Sequence, residues 1–209
     1  MGRNSLLCLA FLLTLLPCVT FAQSPAEPKE ATLYSAFDTH PAEHVSIAAE
    51  PYDTAAKNSL FHVDYLAYNV MPIRIIVTNS GNTPISLADA RIDFITATGD
   101  KIPAADPEDV ERKIDRPANP GKAVQVGPIK LGGKGKSKEK QIKEDFDTHE
   151  YGAIAVEPHT TRTGFLFYDL GDMRDPLRGA HLELRRLRAA DGKELFAFEV
   201  PFDKYLAAK

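Results

Sequence analysis

Cysteine is nearly absent from this chain: Cys8 and Cys18 are the only two, and both stand near the N-terminus. A chain that loses that segment has no thiol, which excludes disulfides, thiolate metal sites and cysteine nucleophiles together. Its stability must then come from an ordinary hydrophobic core rather than a stapled mini-scaffold. Asn-x-Ser/Thr sequons are missing as well, and no apolar run reaches the roughly 20 residues that a bilayer-spanning helix needs. Basic patches interleaved with aromatics are also lacking, and the formal charge of −4 is mildly acidic, so no nucleic acid partner is expected. No internal repeat is visible.

What is present begins with Met-Gly-Arg-Asn-Ser and an 11-residue apolar run from Leu6 to Leu16. Arg3 is the only charge before Glu27. This length suits the core of a secretory signal peptide, which Pro17 then breaks. Thr20 and Ala22 supply the small residues that signal peptidase requires, so cleavage is expected after Ala22. Cys18 follows Pro17 and Leu16 rather than the small residue of a lipobox, and the leader lacks twin arginines. The expectation is a soluble exported protein rather than a lipid-anchored one, periplasmic or extracellular, with no transmembrane span in the mature form. Export without sequons or disulfides fits a bacterial envelope. The expected organisation is a signal peptide at 1–22, a flexible tether rich in Pro, Ala, Glu and Ser at 23–41, and one domain at 42–209.

Strand periodicity dominates that domain. Val45, Ile47 and Ala49 alternate with Ser46 and Ala48, and Phe61, Val63, Tyr65 and Ala67 alternate with His62, Asp64 and Leu66. Ile73, Ile75 and Val77 share a face, and Asn79-Ser-Gly-Asn-Thr-Pro is dense turn chemistry. Period 2 resumes from Ile85 to Thr96, after which Lys101-Ile102-Pro103 is expected to leave the sheet. Later, Phe165 and Phe167 fall on one face with Leu166 and Tyr168 on the other. Asp191-Gly192 between two alternating runs signals a terminal hairpin. One helix is announced by Asp106 as N-cap, Pro107 at the first helical position, acids in the first turn, and Val110 and Ile114 on one side. The spacing predicts a mainly β fold: an antiparallel two-sheet immunoglobulin-like sandwich with a short helix and a long loop insertion at about 104–148. In that insertion, Lys134 to Lys143 is read as a solvated, mobile stretch.

Ile73-Arg-Ile-Ile-Val-Thr-Asn-Ser-Gly-Asn-Thr-Pro-Ile-Ser-Leu resembles the strand-and-turn signature of immunoglobulin-like domains in exported bacterial proteins of unknown function. Thr163-Gly-Phe-Leu-Phe-Tyr-Asp-Leu and Leu-Phe-Ala-Phe-Glu-Val-Pro resemble the later strands of that group. The resemblance spans Val45 to Phe202, implies the fold, and brings no catalytic residues with it.

Chemistry-bearing motifs are few. Gly135-Lys136-Ser137 lacks the upstream glycine and the strand-to-helix setting of a phosphate loop. Gly-x-Ser-x-Gly is absent, so no serine stands on a nucleophile elbow. Asp106, Glu108 and Asp109 are explained by the helix dipole, and His62 and His181 read as sheet-surface residues. Asp145, Asp147, His149 and Glu150, with His159 further along, form the densest set of candidate metal ligands, suited to a divalent cation although out of register for an EF-hand or a His-x-x-x-His zinc site. No other cofactor is implied. Lys134, Lys136, Lys138 and Lys140 are the candidate partner-binding residues, facing a protein or glycan of the cell envelope. The leading expectation is a non-catalytic binding or interaction module. The alternatives are an exported metal-dependent hydrolase using the region from Asp145 to His159, or a strand-pairing assembly chaperone.

Overall fold

The computed structural model describes residues 28–115 and 137–209. The expected leader with its cleavage point at Ala22, and Lys134 and Lys136, lie outside the described residues.

After a 3-10 turn at Ala31–Leu33, the elements are β1 (Phe37–His40), β2 (Val45–Pro51), α1 (Ala55–Asn58), a second 3-10 turn at Tyr65–Tyr68, β3 (Val70–Asn79), β4 (Ile85–Ser86), β5 (Arg91–Ile95) and β6 (Lys101–Pro103). The helices α2 (Pro107–Asp115) and α3 (Lys138–His149) follow. The chain closes with β7 (Ala155–Val156), β8 (Thr160–Asp169), β9 (His181–Arg185), β10 (Arg188–Ala189), β11 (Phe198–Pro201) and α4 (Phe202–Ala207). The protein is mainly β. All strand pairs are antiparallel, in sheets of order β1-β2-β3-β8, β10-β4-β7 and β11-β9-β5-β6.

The longest pairing joins β3 to β8, from Val70 opposite Asp169 to Asn79 opposite Thr160. Both faces of β3 are covered, which is why its sequence is a nearly continuous apolar run rather than a strict alternation. Met71, Ile73, Ile75 and Val77 enter the main core, where they join Phe94, Leu182, Leu184, Phe198 and Val200 of the sheet that holds β5, β9 and β11. On its other face Val70 joins a second cluster, in which Val110 and Ile114 of α2 and Ile142 and Phe146 of α3 pack on Phe165 and Phe167 of β8. Ile76 and Ala48 bury Ala31 in a third cluster at the far end of that face. Phe165 and Phe167 thus face the helices, while Tyr168 turns into the main core with Leu166 packed against it.

The start of α2 follows the expected chemistry, since the Asp106 carboxylate accepts the Asp109 N–H at 2.8 Å. The terminal hairpin also forms, with Phe198 opposite Leu184 and Gly192 at φ +84° in its turn. Several expectations need correction. Phe61 to Ala67 is not a strand: Phe61, Val63 and Tyr65 do point inward, but toward the helices, and the segment ends in the 3-10 turn with Asn69 at φ +57°. Lys101–Pro103 stays in the sheet as β6, at an edge where a proline without N–H is tolerated. Residues 31–41 are not a tether, because β1 pairs with β2 and Ala31 and Ala36 are buried. The described part of the insertion is helical, and the supposedly mobile lysine run enters α3.

Strand edges are largely engaged. The Asp38 carboxylate accepts the Glu199 N–H at 3.0 Å, Glu43 accepts the Phe196 N–H at 3.1 Å, and the His40 ring stacks on Phe198 at 3.8 Å. These contacts close the edge of β1 onto that of β11. Beside β8, the Phe165 and Phe167 carbonyls accept N–H groups from Tyr151 and Ala105.

Gly164 is where Tyr151 crosses β8. A Cβ there would lie 2.5 Å from the Tyr151 Cα and 2.7 Å from its nitrogen, both backbone atoms that cannot swing away. Gly164→Ala is therefore expected to cost about 1–3 kcal/mol by overpacking, read as a lower urea midpoint at constant m.

Candidate functional site

The densest chemistry lies where α3 meets the loop before β3. Ser137 caps α3 by accepting the Lys140 N–H at 3.3 Å, whereas Gly135 and Lys136 lie outside the described residues. From that start, Ile142, Asp145, Phe146 and His149 fall on one helical face. Ile142 and Phe146 are buried against β8, which carries Asp145 into the interior, 0% exposed.

A buried carboxylate persists only when donors replace its water. Here both Asp145 oxygens accept the His62 backbone N–H, at 2.9 and 3.0 Å. The Oδ2 also accepts the Val63 N–H at 3.2 Å and the Tyr65 hydroxyl at 3.0 Å. The His62 Nδ1 lies 2.7 Å from Oδ1. Because an ionised carboxylate only accepts, Nδ1 is the protonated nitrogen in this geometry. The His62 side chain remains 53% exposed.

Burial, and then the charge of Asp145 and its hydrogen bond, push the Tyr65 phenol far above its ordinary range. His149, one turn beyond Asp145, meets the ring of Phe61 edge-on at 5.4 Å. Burial lowers the His149 pKa from 6.5; the carboxylate of Asp145 opposes this and the imidazole of His62 adds to it. The sign of the pH effect follows. The unfolded chain takes up the His149 proton first as pH falls below 6.5, so stability present above that value is lost as pH drops toward the depressed folded pKa. Melting temperature is expected to fall between about pH 6.5 and about pH 5, the range over which an imidazole titrates, and His149→Gln to flatten that slope.

The four candidate ligands do not converge. Asp145 spends its oxygens on the loop, and Asp147 faces solvent in an ion pair with Lys143 at 2.9 Å. Glu150 ends α3, its carboxyl raised by burial and then by Asp106 and Asp147. His159 lies apart, 3.0 Å from Asn82. Among the described residues no group of three or more His, Asp or Glu is arranged to hold a metal ion.

Of the four candidate lysines, Lys138 and Lys140 are described, and these two do not share one row. Lys138 donates to the Tyr68 hydroxyl at 2.7 Å and lies over that ring, whereas Lys140 is exposed two residues on, pointing elsewhere around the helix. His62 and Tyr65 were missed as partners of Asp145 because their alternation imitates a strand. His181 does lie within a strand, β9.

Two of the clefts among the described residues lie elsewhere. One, of about 390 Å³, separates the Arg91 end of β5 from Tyr151–Ile154, with Leu166 in its lining. The Tyr151 hydroxyl is buried and has no hydrogen-bond partner among the described residues. Burial raises its pKa, an effect that the charge of Arg162 partly offsets. The other cleft, of about 620 Å³, lies between α2 and the end of β8. Its charged groups are engaged internally: Lys113 pairs with Asp169, Arg112 pairs with Asp109, and Asp172 accepts a hydrogen bond from the Asn69 amide.

No family model, curated protein or solved structure matches this chain. Among the described residues, no helix is long and apolar enough to cross a membrane.

Proposed function

We propose that this protein is an exported, non-catalytic binding module of a bacterial cell envelope, its two four-stranded sheets forming an immunoglobulin-like sandwich. The leader sequence supports export, and the core shared by the two sheets supports the sandwich. The observation that carries the non-catalytic reading is the saturation of Asp145. The richest cluster of titratable groups is spent on tying α3 to the 62–65 loop, which is the work of a structural cross-link. A strand-accepting chaperone is less well supported, because the longer outer edges are already engaged. The partner is a protein or glycan of the envelope, met by the exposed surface of the helical layer that includes Lys138 and Lys140.

One observation favours a second reading. The Asp145–His62 bond orients a half-exposed imidazole, as a general base requires. The deciding experiment is capture from the organism's own envelope extract, alongside a hydrolase screen. A partner retained by the wild type and lost on Lys138→Glu/Lys140→Glu supports the binding module. Absence of any retained partner, together with hydrolysis abolished by His62→Gln, rejects it in favour of the hydrolase.

A further inference from the structure

β1 and β11 are the outer strands of their sheets, and among the described residues no backbone hydrogen bond joins them. Three side chains make the join instead. Asp38 Oδ2 accepts the Glu199 N–H at 3.0 Å, and Glu43 Oε1 accepts the Phe196 N–H at 3.1 Å. Both carboxylates also meet one imidazole. His40 Nδ1 lies 2.9 Å from Glu43 Oε2, and its Nε2 lies 3.4 Å from Asp38 Oδ2. The ring itself lies flat on Phe198 of β11, with 3.8 Å between centroids and 17° between planes.

Each of these contacts favours the charged ring. A neutral imidazole has a single N–H, so one of its nitrogens would turn a lone pair toward a carboxylate. The imidazolium presents an N–H to both. The face of Phe198 also attracts a cation held over it. The side chains of His40 and Glu43 are only 22% and 11% exposed, so salt and water screen their pairing less than on an open surface. The other charges near the seam are Lys204 of α4, which donates to the Phe37 carbonyl at 3.3 Å, and the exposed side chains of His44 and Glu199. Among the described residues, neither Lys204 nor His44 pairs with Asp38 or Glu43.

We propose that His40 is a pH-sensitive clasp, its imidazolium holding β1 against β11 through both carboxylates and its deprotonation loosening the seam. A closed seam that holds the proton better than the open one must open more readily as protons are removed. The contribution of the clasp is therefore present at acid pH and lost as pH rises, opposite in sign to that of His149. Loosening frees the Phe196 and Glu199 N–H groups on the outer edge of β11. The clasp is independent of any envelope partner, since none of its residues belongs to α2 or α3.

The test is urea unfolding of the wild type, His40→Gln, Glu43→Gln and the double variant at about pH 5.5 and about pH 8, either side of the imidazole range. At the lower pH, His40→Gln is expected to reduce the folding equilibrium constant about tenfold, the worth of one charge-assisted hydrogen bond. The losses of the two single variants should then be less than additive in the double variant, as for residues in contact. At the higher pH, His40→Gln should cost less than about twofold. Hydrogen exchange at the lower pH supplies the local readout: in His40→Gln the Glu199 amide should exchange faster, while the amides of β3 should not. Three results overturn the proposal: a His40→Gln loss that is equal at the two pH values, strict additivity with Glu43→Gln at the lower pH, or unchanged protection of the Glu199 amide.

Discussion

Asp145→Ala is expected to destabilise the protein by about 3–5 kcal/mol, the cost typical of breaking a buried, hydrogen-bonded charge cluster. The substitution removes the common acceptor of four donors: the His62 and Val63 N–H groups, the His62 ring and the Tyr65 hydroxyl. The His62 ring can turn to water, because it is half-exposed. The Val63 N–H and the Tyr65 hydroxyl are buried and cannot, so they are left unsatisfied. Asp145→Asn preserves the shape but aims an amide at donors, so it should recover only part of the loss. Tyr65→Phe removes one bond together with its donor and should cost about 1 kcal/mol. Urea unfolding monitored by far-UV circular dichroism gives the ranking. A wild-type-like midpoint for Asp145→Ala would mean that the α3 contact contributes little to folding.

Phe167→Ala should cost a similar amount, about 3–5 kcal/mol for an aromatic deleted from a packed core. Phe167 is fully buried, stacked on Phe146 of α3 at 4.3 Å and tilted against Tyr65 at 4.9 Å. Phe61 meets it at 5.5 Å. No neighbour is positioned to refill the space, since these rings are themselves held by Phe165 and the Asp145 loop. The loss should be concentrated in α3, whose amides are expected to exchange with deuterium faster than those of β3. Phe196, 75% exposed, provides the control: Phe196→Ala should change stability by no more than about 0.5 kcal/mol. Equal effects at the two positions would contradict the placement of α3 over β8.

The pairing of chemistry with sequence pattern was uneven. The α2 helix was legible because its cap, first-turn proline and paired apolar residues all act within a few positions of one another. The two faces of β8 were legible for the same reason, period 2 being a property of the strand itself. In contrast, α3 was hidden. Its buried face reads Ile142, Asp145, Phe146, His149, and two polar residues in an apolar stripe look like a solvated stretch until the partners of Asp145 are known.

From sequence alone came the mainly β, antiparallel character, the α2 helix, the two-faced β8 strand and the terminal hairpin, because each rests on interactions between near neighbours. Tertiary structure alone decided that the segment from Phe61 to Ala67 is a loop and a 3-10 turn rather than a strand, that Asp145 is a buried cross-link apart from Asp147 and Glu150, and that Tyr151 walls a cleft. The bond from the His62 N–H to Asp145 spans 83 positions, and the crossing of Tyr151 over Gly164 depends on how two chain segments stack. Local periodicity carries no information about such meetings. They are set by which apolar faces bury each other, and the polar groups carried in with those faces must then find whatever partners lie there.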